Sequence, residues 1–305
     1  MRAAFSNALV EAATQDERVV LLTGDHGYAL FDEFRKRCPN QYINAGIAEQ
    51  NMVGVAAGLA KAGLRPIVYG LSAFVPVRVL EQIKIDVCYE KLPVIFTGDG
   101  AGLVYSTLGT SHQSFEDIAC LRAVPHIEIM SPCDAHELTA CMRMALAEAG
   151  PVYFRMGKAD VGRVHAALPQ LQRGALVQVR GGHHPVALIA TGSMVKTACV
   201  IGDEIDASVW SAPWIKPLDA TQLAGLAATA TAFVTLEEHS AVGGLGGAVV
   251  EAMAETCPIP VLRIGIGERF SETCGSHAHA MREHGLDLAS VRARVLPFAT
   301  KWKAT

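Results

Sequence analysis

The chain has 305 residues, of which half are hydrophobic and 18% are charged, and its formal net charge is −4. This length suits two compact domains, and the modest charge argues against a disordered chain and against a nucleic-acid-binding protein. The N-terminal residues contain no uninterrupted apolar stretch of signal-peptide or membrane length. We therefore expect a cytoplasmic protein whose partners are proteins and small molecules, with no membrane contact.

The eight cysteines are scattered along the chain without a Cys-x-x-Cys pair and without histidines at zinc-ligand spacing. We therefore expect them to be buried thiols in a reducing compartment. Two histidine pairs, His183 with His184 and His277 with His279, lie in polar, loop-like sequence. No metal-binding residue is predicted in this chain.

Short β-branched runs alternate with helical patterns along the chain. In chain order, the predicted strands are 19–22, 67–69, 94–97, 126–130, 186–190, 233–236 and 261–264. This alternation predicts an α/β fold with two doubly wound domains. A stretch rich in Gly, Arg, Gln and His interrupts the pattern. We therefore place one domain at 1–160, a linker at 161–184 and a second domain at 185–305.

Residues 42–63 run from a strand end into a helix made almost wholly of small and apolar residues, in which Glu49 is the only acid. Gly54 and Gly58 leave a bare stripe on one helix face, at a cost of about 1 kcal/mol per glycine. Another backbone or a flat ligand can approach closely there. From the residues alone, Glu49 is either an acid that favours the helix N-terminus or a buried group that bonds a ring nitrogen.

The motif Gly46-Ile-Ala-Glu-Gln-Asn-Met resembles the helix start shared by transketolases, 1-deoxyxylulose-5-phosphate synthases and the β subunits of 2-oxoacid dehydrogenases. In those families the matching glutamate bonds the aminopyrimidine ring of thiamine diphosphate and promotes formation of its ylide nucleophile. The resemblance implies the same catalytic role for Glu49. Asp25, which ends the first predicted strand, matches a family aspartate near the thiazolium ring.

Residues 69–84 are similar to the strand-to-helix element that lies beside the pyrimidine in this family. Phe74 matches the aromatic residue that stacks on the ring, a contact that suits its flat side chain. Arg78 and Gln82, one helical turn apart, resemble positions that line the same region, although an exposed helix face would show the same pattern. With Leu71, they complete the predicted cofactor contacts.

Residues 97–117 read as a strand, a long glycine-bearing loop and a helix start, and loops after parallel strands are where ligands bind. The motif Gly109-Thr-Ser-His-Gln is similar to the transketolase Gly-Pro-Thr-His-Gln, whose histidine contacts the reacting end of the sugar. It implies a catalytic and substrate-binding role for His112. Leu108 stands where the family has an aspartate for the donor's hydroxyl, and Gly98 where it has a phosphate-binding histidine. The sugar or its anionic group is therefore expected to differ from the usual one.

Residues 151–158 resemble the final strand of the pyrimidine domain, where transketolases place an arginine for the substrate's phosphate. Lys158 matches that position by spacing, and Arg155 is a nearby alternative. Lysine keeps the charge but loses the two-pronged fork of arginine. A solvated strand end would show the same residues.

The sequence Gly98-Asp-Gly100 has the opening of the motif that binds magnesium and the cofactor's diphosphate, but that motif needs an asparagine ligand further along the chain. The asparagines here, at 7, 40, 44 and 51, all lie upstream. We therefore expect a separate N-terminal subunit to supply the Mg²⁺ and diphosphate contacts. The resemblance then implies that thiamine diphosphate is clamped between two kinds of chain, in a two-plus-two heterotetramer.

The second half supports this alignment with three motifs, at residues 214–219, 234–247 and 264–270, that are similar to the transketolase C-terminal domain. Its glycine cluster lacks the spacing of a dinucleotide fingerprint. The resemblance thus covers residues 1 to 305 and implies that 1–160 is a pyrimidine-binding domain and that 185–305 serves assembly.

The implied reaction is transfer of a two-carbon ketol unit from a ketose, phosphorylated or otherwise anionic, to an aldehyde. The alternative is a decarboxylating enzyme, either a 2-oxoacid dehydrogenase β subunit or a split 1-deoxyxylulose-5-phosphate synthase. The motif that ends in His112 and Gln113 favours the transketolase, whereas Leu108 weakens that preference. A non-catalytic scaffold subunit is disfavoured because Glu49 and Phe74 are both present.

Overall fold

A computed structural model describes residues 1–157 and 162–303 of the chain. The helices in these ranges are Arg2–Gln15 (α1), Asp32–Arg37 (α2), Glu49–Lys61 (α3), Leu80–Gln82 (α4), Asp117–Arg122 (α5), Ala135–Ala147 (α6), Met194–Ile205 (α7), Ala220–Ala227 (α8), Leu245–Ala254 (α9), His277–Glu283 (α10) and Leu288–Lys301 (α11). A π-helical turn, Ile83–Cys88, follows α4 directly. None of the helices in the described ranges combines the length and the apolar character that a bilayer crossing requires.

The strands in the described ranges are Val19–Thr23 (β1), Tyr42–Asn44 (β2), Arg65–Leu71 (β3), Ile95–Asp99 (β4), Glu128–Met130 (β5), Val152–Met156 (β6), Val177–Arg180 (β7), His184–Ala190 (β8), Ala207–Ser211 (β9), Trp214–Lys216 (β10), Ala232–Ser240 (β11) and Val261–Ile266 (β12). All seven predicted strands overlap one of them. The α/β class with two sheet-based domains is confirmed.

The first sheet has seven strands in the order β10-β5-β6-β4-β3-β1-β2. Its strands are parallel except β10, which pairs antiparallel with β5. β1, β4 and β6 are buried throughout, as expected for apolar strands covered by helices on both faces. Because β10 comes from the second half of the chain, the two domains share the edge of this sheet.

The second sheet has five strands in the order β12-β11-β8-β9-β7, of which only β7 runs antiparallel to its neighbour. β7 lies inside the stretch 161–184 that was predicted to be a linker, so the second domain begins before residue 185. Its residues are half-buried or exposed at a sheet edge. A short strand of this kind lacks the continuous apolar run by which the seven predicted strands were identified.

The two faces of the first sheet are covered differently. Phe5 of α1 stacks on Tyr69 of β3, with ring centroids 5.9 Å apart, and α6 packs beside α1 on that face. On the other face, Met52 and Val53 of α3 are fully buried in the core that contains Val68 of β3. This packing fixes the N-terminus of α3 at the edge where the parallel strands end.

A buried polar network joins the two domains. Asp117, at the start of α5, accepts hydrogen bonds from the Tyr153 hydroxyl at 2.6 Å and from Arg155 Nε at 2.8 Å. Arg155 also donates to the carbonyl oxygen of Glu238 in β11, at 2.9 Å. Burial and the adjacent Asp117 raise the pKa of Tyr153 well above its usual value, so its hydroxyl remains a donor. Asp117 therefore accepts from both side chains and lies at the centre of the network.

Removing Asp117 should strongly destabilise the fold. Asp117→Ala leaves the Arg155 guanidinium buried without its counter-charge, and breaking a buried pair in this way costs about 3–5 kcal/mol. Denaturant unfolding measures the loss. Asp203→Ala, which removes an exposed partner of Arg180, is the control, and its expected loss is at most about 1 kcal/mol. Equal losses in the two variants would contradict a structural role for the network.

His239, also in β11, is buried in its neutral form. Its Nδ1–H donates to the Ser240 carbonyl oxygen at 2.8 Å, and its Nε2 accepts from the Ala119 N–H at 3.3 Å. Burial lowers the pKa of His239 from 6.5 to about 4, an effect that the nearby Asp117 partly opposes. The native state therefore excludes a proton that the unfolded chain binds.

This difference makes the stability depend on pH. The contribution of His239 is fully present above pH 6.5 and is lost as the pH falls toward 4, by about 3 kcal/mol. Unfolding curves across this window should therefore fall more steeply for the natural chain than for His239→Gln. The buried Glu237, whose pKa is raised to about 7, contributes with the opposite sign. Because its Oε2 is 3.6 Å from His239 Nδ1, the two titrations are coupled, and the comparison is therefore made with Glu237→Gln present in both chains. His183→Gln, which removes an exposed contact with Asp206, should change the slope much less.

Candidate active site

The predicted site residues converge on one edge of the first sheet. Asp25 follows β1, Glu49 starts the helix after β2, Phe74 follows β3, and His112 lies in the loop between β4 and α5. Because β1 to β4 are parallel, their carboxyl ends meet at the same edge. Residues from four distant stretches of sequence thus form one site.

Glu49 is the first residue of α3, and only 6% of it is exposed. Its Oε2 accepts a hydrogen bond from Arg78 Nη1 at 3.1 Å. The residue before it, Ala48, provides no side-chain cap for the helix. The carboxylate therefore lies at the positive end of the helix dipole with one cationic partner, an arrangement that favours a hydrogen-bond acceptor.

Phe74 is at the centre of an aromatic cluster. The Arg78 guanidinium lies 4.0 Å from the centroid of its ring, at cation–π distance. The ring of His112 meets it edge-on with centroids 5.4 Å apart, and the ring of His26 lies at 6.0 Å. One flat ring is thus surrounded by a guanidinium and two imidazoles. His26 was missed from the sequence, although its position just after a buried strand was a usable signal.

Leu71, Gln82 and Asp25 have different surroundings. The Leu71 carbonyl oxygen accepts the N–H groups of Phe74 and Val75, both at 2.8 Å, so Leu71 sets the turn that orients Phe74. The Oε1 atom of Gln82 is buried and, within the part of the chain that the structure describes, has no hydrogen-bond partner. Asp25 is exposed next to His26. Gln82 therefore offers an unused acceptor one helical turn from Arg78.

His112 lies in a loop whose tip is exposed. Its Nδ1 is 3.0 Å from the hydroxyl of Ser111, and Leu108, in the preceding turn, is 55% exposed. An apolar side chain is thus presented where the resembling family has a carboxylate.

Gly98 and Asp99 are both enclosed in the fold. A Cβ atom on Gly98 would lie 2.4 Å from the Tyr153 hydroxyl oxygen and 3.0 Å from Ser72 Cβ, so position 98 is filled by packing and does not face a substrate. Asp99 is 1% exposed, and its Oδ2 accepts from the Tyr69 hydroxyl at 2.8 Å. Its carboxylate is directed into the domain, which agrees with the incomplete magnesium motif.

The two residues predicted to bind the anionic end of the substrate differ in outcome. Lys158 lies outside the described residues. Arg155 is 5% exposed, and its guanidinium contacts Asp117 and two backbone carbonyl oxygens. This placement argues against the substrate role predicted for Arg155, because its charge is balanced inside the fold.

One group with metal-ligand chemistry occurs among the described residues. Ligand atoms of the buried Cys133, Glu137 and His165 lie within 4.8 Å of one another. However, Glu137 Oε1 is 3.0 Å from His165 Nε2, and its Oε2 accepts the Cys133 N–H at 2.6 Å. Burial raises the pKa of the Cys133 thiol far above its usual value. Hydrogen bonds within the group thus account for its arrangement.

Comparison with known proteins matches both domains. Residues 1–163 match the model of the transketolase pyrimidine-binding domain, and residues 174–291 match that of the transketolase C-terminal domain. The second match, like β7, begins before residue 185.

Two curated relatives align over most of their length. A 6-deoxy-6-sulfo-D-fructose transketolase subunit of Clostridium sp. strain MSTE9 is 34% identical over 278 residues, which cover 89% of this chain and 86% of the relative. An apulose-4-phosphate transketolase subunit from Phocaeicola vulgatus is 35% identical over 307 residues, with coverages of 98% and 97%. The 1-deoxy-D-xylulose-5-phosphate synthase of Chlorobium luteolum is 38% identical, but the aligned part is only 48% of that enzyme.

Among solved structures, a split-gene transketolase described as an inactive β4 tetramer is similar over 99% of this chain and 98% of its own, with a TM-score of 0.88 and 33% identity. The transketolase of Campylobacter jejuni shares the fold at a TM-score of 0.76, with 18% identity and 46% of its chain covered.

The packing around Gly98 gives a prediction. Gly98→Ala should lower the free energy of unfolding by about 1–3 kcal/mol, because its methyl group would collide with the Tyr153 hydroxyl. Combined with Tyr153→Phe, which removes that hydroxyl, the loss should be smaller than the sum of the two single losses in a double-mutant cycle. Strict additivity would contradict the collision.

The matched control is Gly58→Ala on α3, where an added Cβ meets open space. Because alanine has the higher helix propensity, this variant should gain up to about 1 kcal/mol in the isolated chain.

Proposed function

Because the chain belongs to the transketolase family through both of its domains, we propose that it is the C-terminal subunit of a split, thiamine-diphosphate-dependent transketolase. The proposed reaction transfers a two-carbon ketol unit from a ketose to an aldehyde, within cytoplasmic carbohydrate metabolism. The observation that carries this proposal is the convergence of Glu49, Phe74, Arg78 and His112 at one edge of the first sheet.

The residues of this edge fit an aminopyrimidine. Phe74 offers a flat ring for stacking, and Glu49 offers a buried carboxylate oxygen to a ring nitrogen. The buried Oε1 of Gln82 lacks a partner among the described residues and suits an amino group. Thiamine diphosphate, when bound, supplies the nucleophilic carbon that the transfer of a ketol unit requires. Two further contacts are proposed. Leu71 contributes through the turn that orients Phe74, and Asp25 lies just after β1.

The remaining polar groups act on the sugar. His112 Nδ1 is paired with Ser111, so its Nε2 is the atom we assign to exchange a proton with a sugar oxygen. His26, on the other side of Phe74, is a second imidazole within reach of the same space. Glu49 holds the proton at the pyrimidine nitrogen, and Arg78, now bonded to it, supplies the counter-charge.

We assign the anionic end of the substrate to Lys158, without Arg155. A lysine holds an anion as a point charge and lacks the fork geometry of arginine, so it accepts anions of different shape. The exposed Leu108 places apolar surface beside the sugar where other transketolases bind a hydroxyl. Two similar subunits belong to enzymes named for a sulfonated and a phosphorylated sugar. A ketose with a strongly anionic tail is therefore the proposed donor.

A separate N-terminal subunit is proposed to supply the Mg²⁺ and diphosphate contacts in a two-plus-two assembly. Apolar side chains near the site are exposed, with Ile47 at 78% and Tyr28 at 81%. No described atom lies within 4 Å of a Cβ placed on Gly54 or Gly58, so this stripe leaves room for the close approach of another chain. Exposed apolar surface of this kind is typical of a protein interface.

The alternative, a split 1-deoxyxylulose-5-phosphate synthase, rests on the similarity to such enzymes, of which this chain spans about half. Consumption of pyruvate by the assembled enzyme distinguishes it, because a transketolase needs a ketose donor instead.

Glu49→Gln tests the proposal directly. In a mixture of this chain with the N-terminal subunit, calorimetry should detect tight binding of thiamine diphosphate with Mg²⁺, and the variant should retain it within a few-fold because the amide keeps the shape of the carboxyl. Turnover of ketoses should fall by about 100-fold or more, because the amide does not hold the proton.

Glu81→Gln, at an exposed position near Arg78, is the control and should leave turnover unchanged. Tight cofactor binding by the isolated chain would contradict the shared site, and turnover of Glu49→Gln at the natural rate would contradict the role of the carboxylate.

A further inference from the structure

The loop that carries His112 has little structure of its own. Between Asp99 and Asp117 its regular structure is limited to two 3₁₀ turns, Ser106–Leu108 and Thr110–His112, and an antiparallel bridge between Gly102 and Ser114. A loop of this length depends on contacts with the rest of the fold for its position. The second domain supplies several of these contacts.

The start of the loop is held by Glu238, at the end of β11. Its Oε1 accepts the Leu103 N–H at 2.8 Å, and a Cβ on the preceding Gly102 would lie 2.5 Å from the same oxygen. Gly102 has a φ of +78°, so the backbone takes a conformation that favours glycine and thereby reaches the carboxylate. Glu238 is itself fixed by His277 and Ser193, both in the second domain.

The end of the loop is held through Gln113, which directly follows His112 and is buried. Its Nε2 donates to Ser106 within the loop, at 3.0 Å, and its Oε1 accepts from the hydroxyl of Ser271 at 2.9 Å. The Ser271 oxygen is also 2.8 Å from His284 Nε2. Because a hydroxyl donates only one hydrogen bond, His284 Nε2–H donates to Ser271, which in turn donates to Gln113.

The segment around Ser271 also touches the middle of the loop. The Ser271 carbonyl oxygen accepts from the Thr110 hydroxyl at 3.4 Å, and the Gly275 N–H donates to the Ser106 carbonyl oxygen at 3.2 Å. Residues on both sides of His112 are thus bonded to one segment of the second domain.

We propose that Ser271 is a positioning residue of the active site, and that the second domain sets the place of the His112 ring through the chain His284–Ser271–Gln113. The part of this proposal that concerns turnover rests on the proposed function, since it takes His112 as the group that meets the sugar. It gives the second domain a role in the reaction in addition to assembly.

Ser271→Ala tests this in the enzyme reconstituted with its N-terminal subunit. Loss of one hydrogen bond should lower kcat/KM for the ketose about 5- to 10-fold, whereas the affinity for thiamine diphosphate should stay unchanged because Glu49 and Phe74 lie on other elements. Ser271→Thr keeps a hydroxyl and should restore most of the activity.

The matched control is Ser208→Ala, at another half-buried serine of the second domain, whose oxygen accepts from Trp210 Nε1 at 3.2 Å. It should leave kcat/KM unchanged. An equal fall in both alanine variants would overturn the proposal, because it would reflect general weakening of the domain.

Hydrogen exchange on the isolated chain provides a second measurement that needs no turnover. Amides of residues 103–113 should exchange faster in Ser271→Ala and not in Ser208→Ala. Unchanged exchange overturns the proposal, and so does faster exchange with natural kcat/KM. A third outcome separates the two proposals. If exchange is faster in Ser271→Ala but the natural chain, mixed with the N-terminal subunit, turns over no ketose, the anchoring of the loop is supported and the proposed function is refuted.

Discussion

The parallel arrangement of β1 to β4 is the constraint on which the site depends. Parallel strands need helical crossovers, so each strand's carboxyl end leads into a new loop at the same edge of the sheet. That edge gathers Glu49, Phe74 and His112, which are far apart in sequence. The network around Asp117 then ties the loop after β4 to β11, and so makes the geometry of the site a property of both domains.

Short motifs in the sequence predicted residues that the structure brings together at this edge. Glu49, Phe74 and His112 each lie in a stretch whose residue order is typical of the family, and the structure brings all three together. Arg155 shows why the rest could not be predicted in this way. A strand-end arginine looks like an anion ligand until Asp117, 38 positions earlier, is seen to balance its charge inside the fold.

The same reason explains the differences in the fold. The seven predicted strands were found because their burial is visible in composition, whereas β7, β9 and β10 were missed. β7 and β10 are short strands defined by non-local pairing, and β9 alternates buried with half-buried residues. Gly98 also depends on a distant residue, since the Tyr153 hydroxyl fills the space beside it. In each case a contact between distant residues decides the structure, and no local pattern records it.

Arg78 links the two groups that are proposed to meet the pyrimidine. Its guanidinium bonds Glu49 and lies over the ring of Phe74. Arg78 is 45% exposed, and a solvent-screened ion pair and a cation–π contact at such a site each contribute about 1 kcal/mol or less. Moving the guanidinium off the Phe74 ring to admit a pyrimidine therefore costs little, and Arg78 still supplies the counter-charge beside Glu49. The arrangement keeps both groups in place and leaves most of the binding energy to the proposed cofactor.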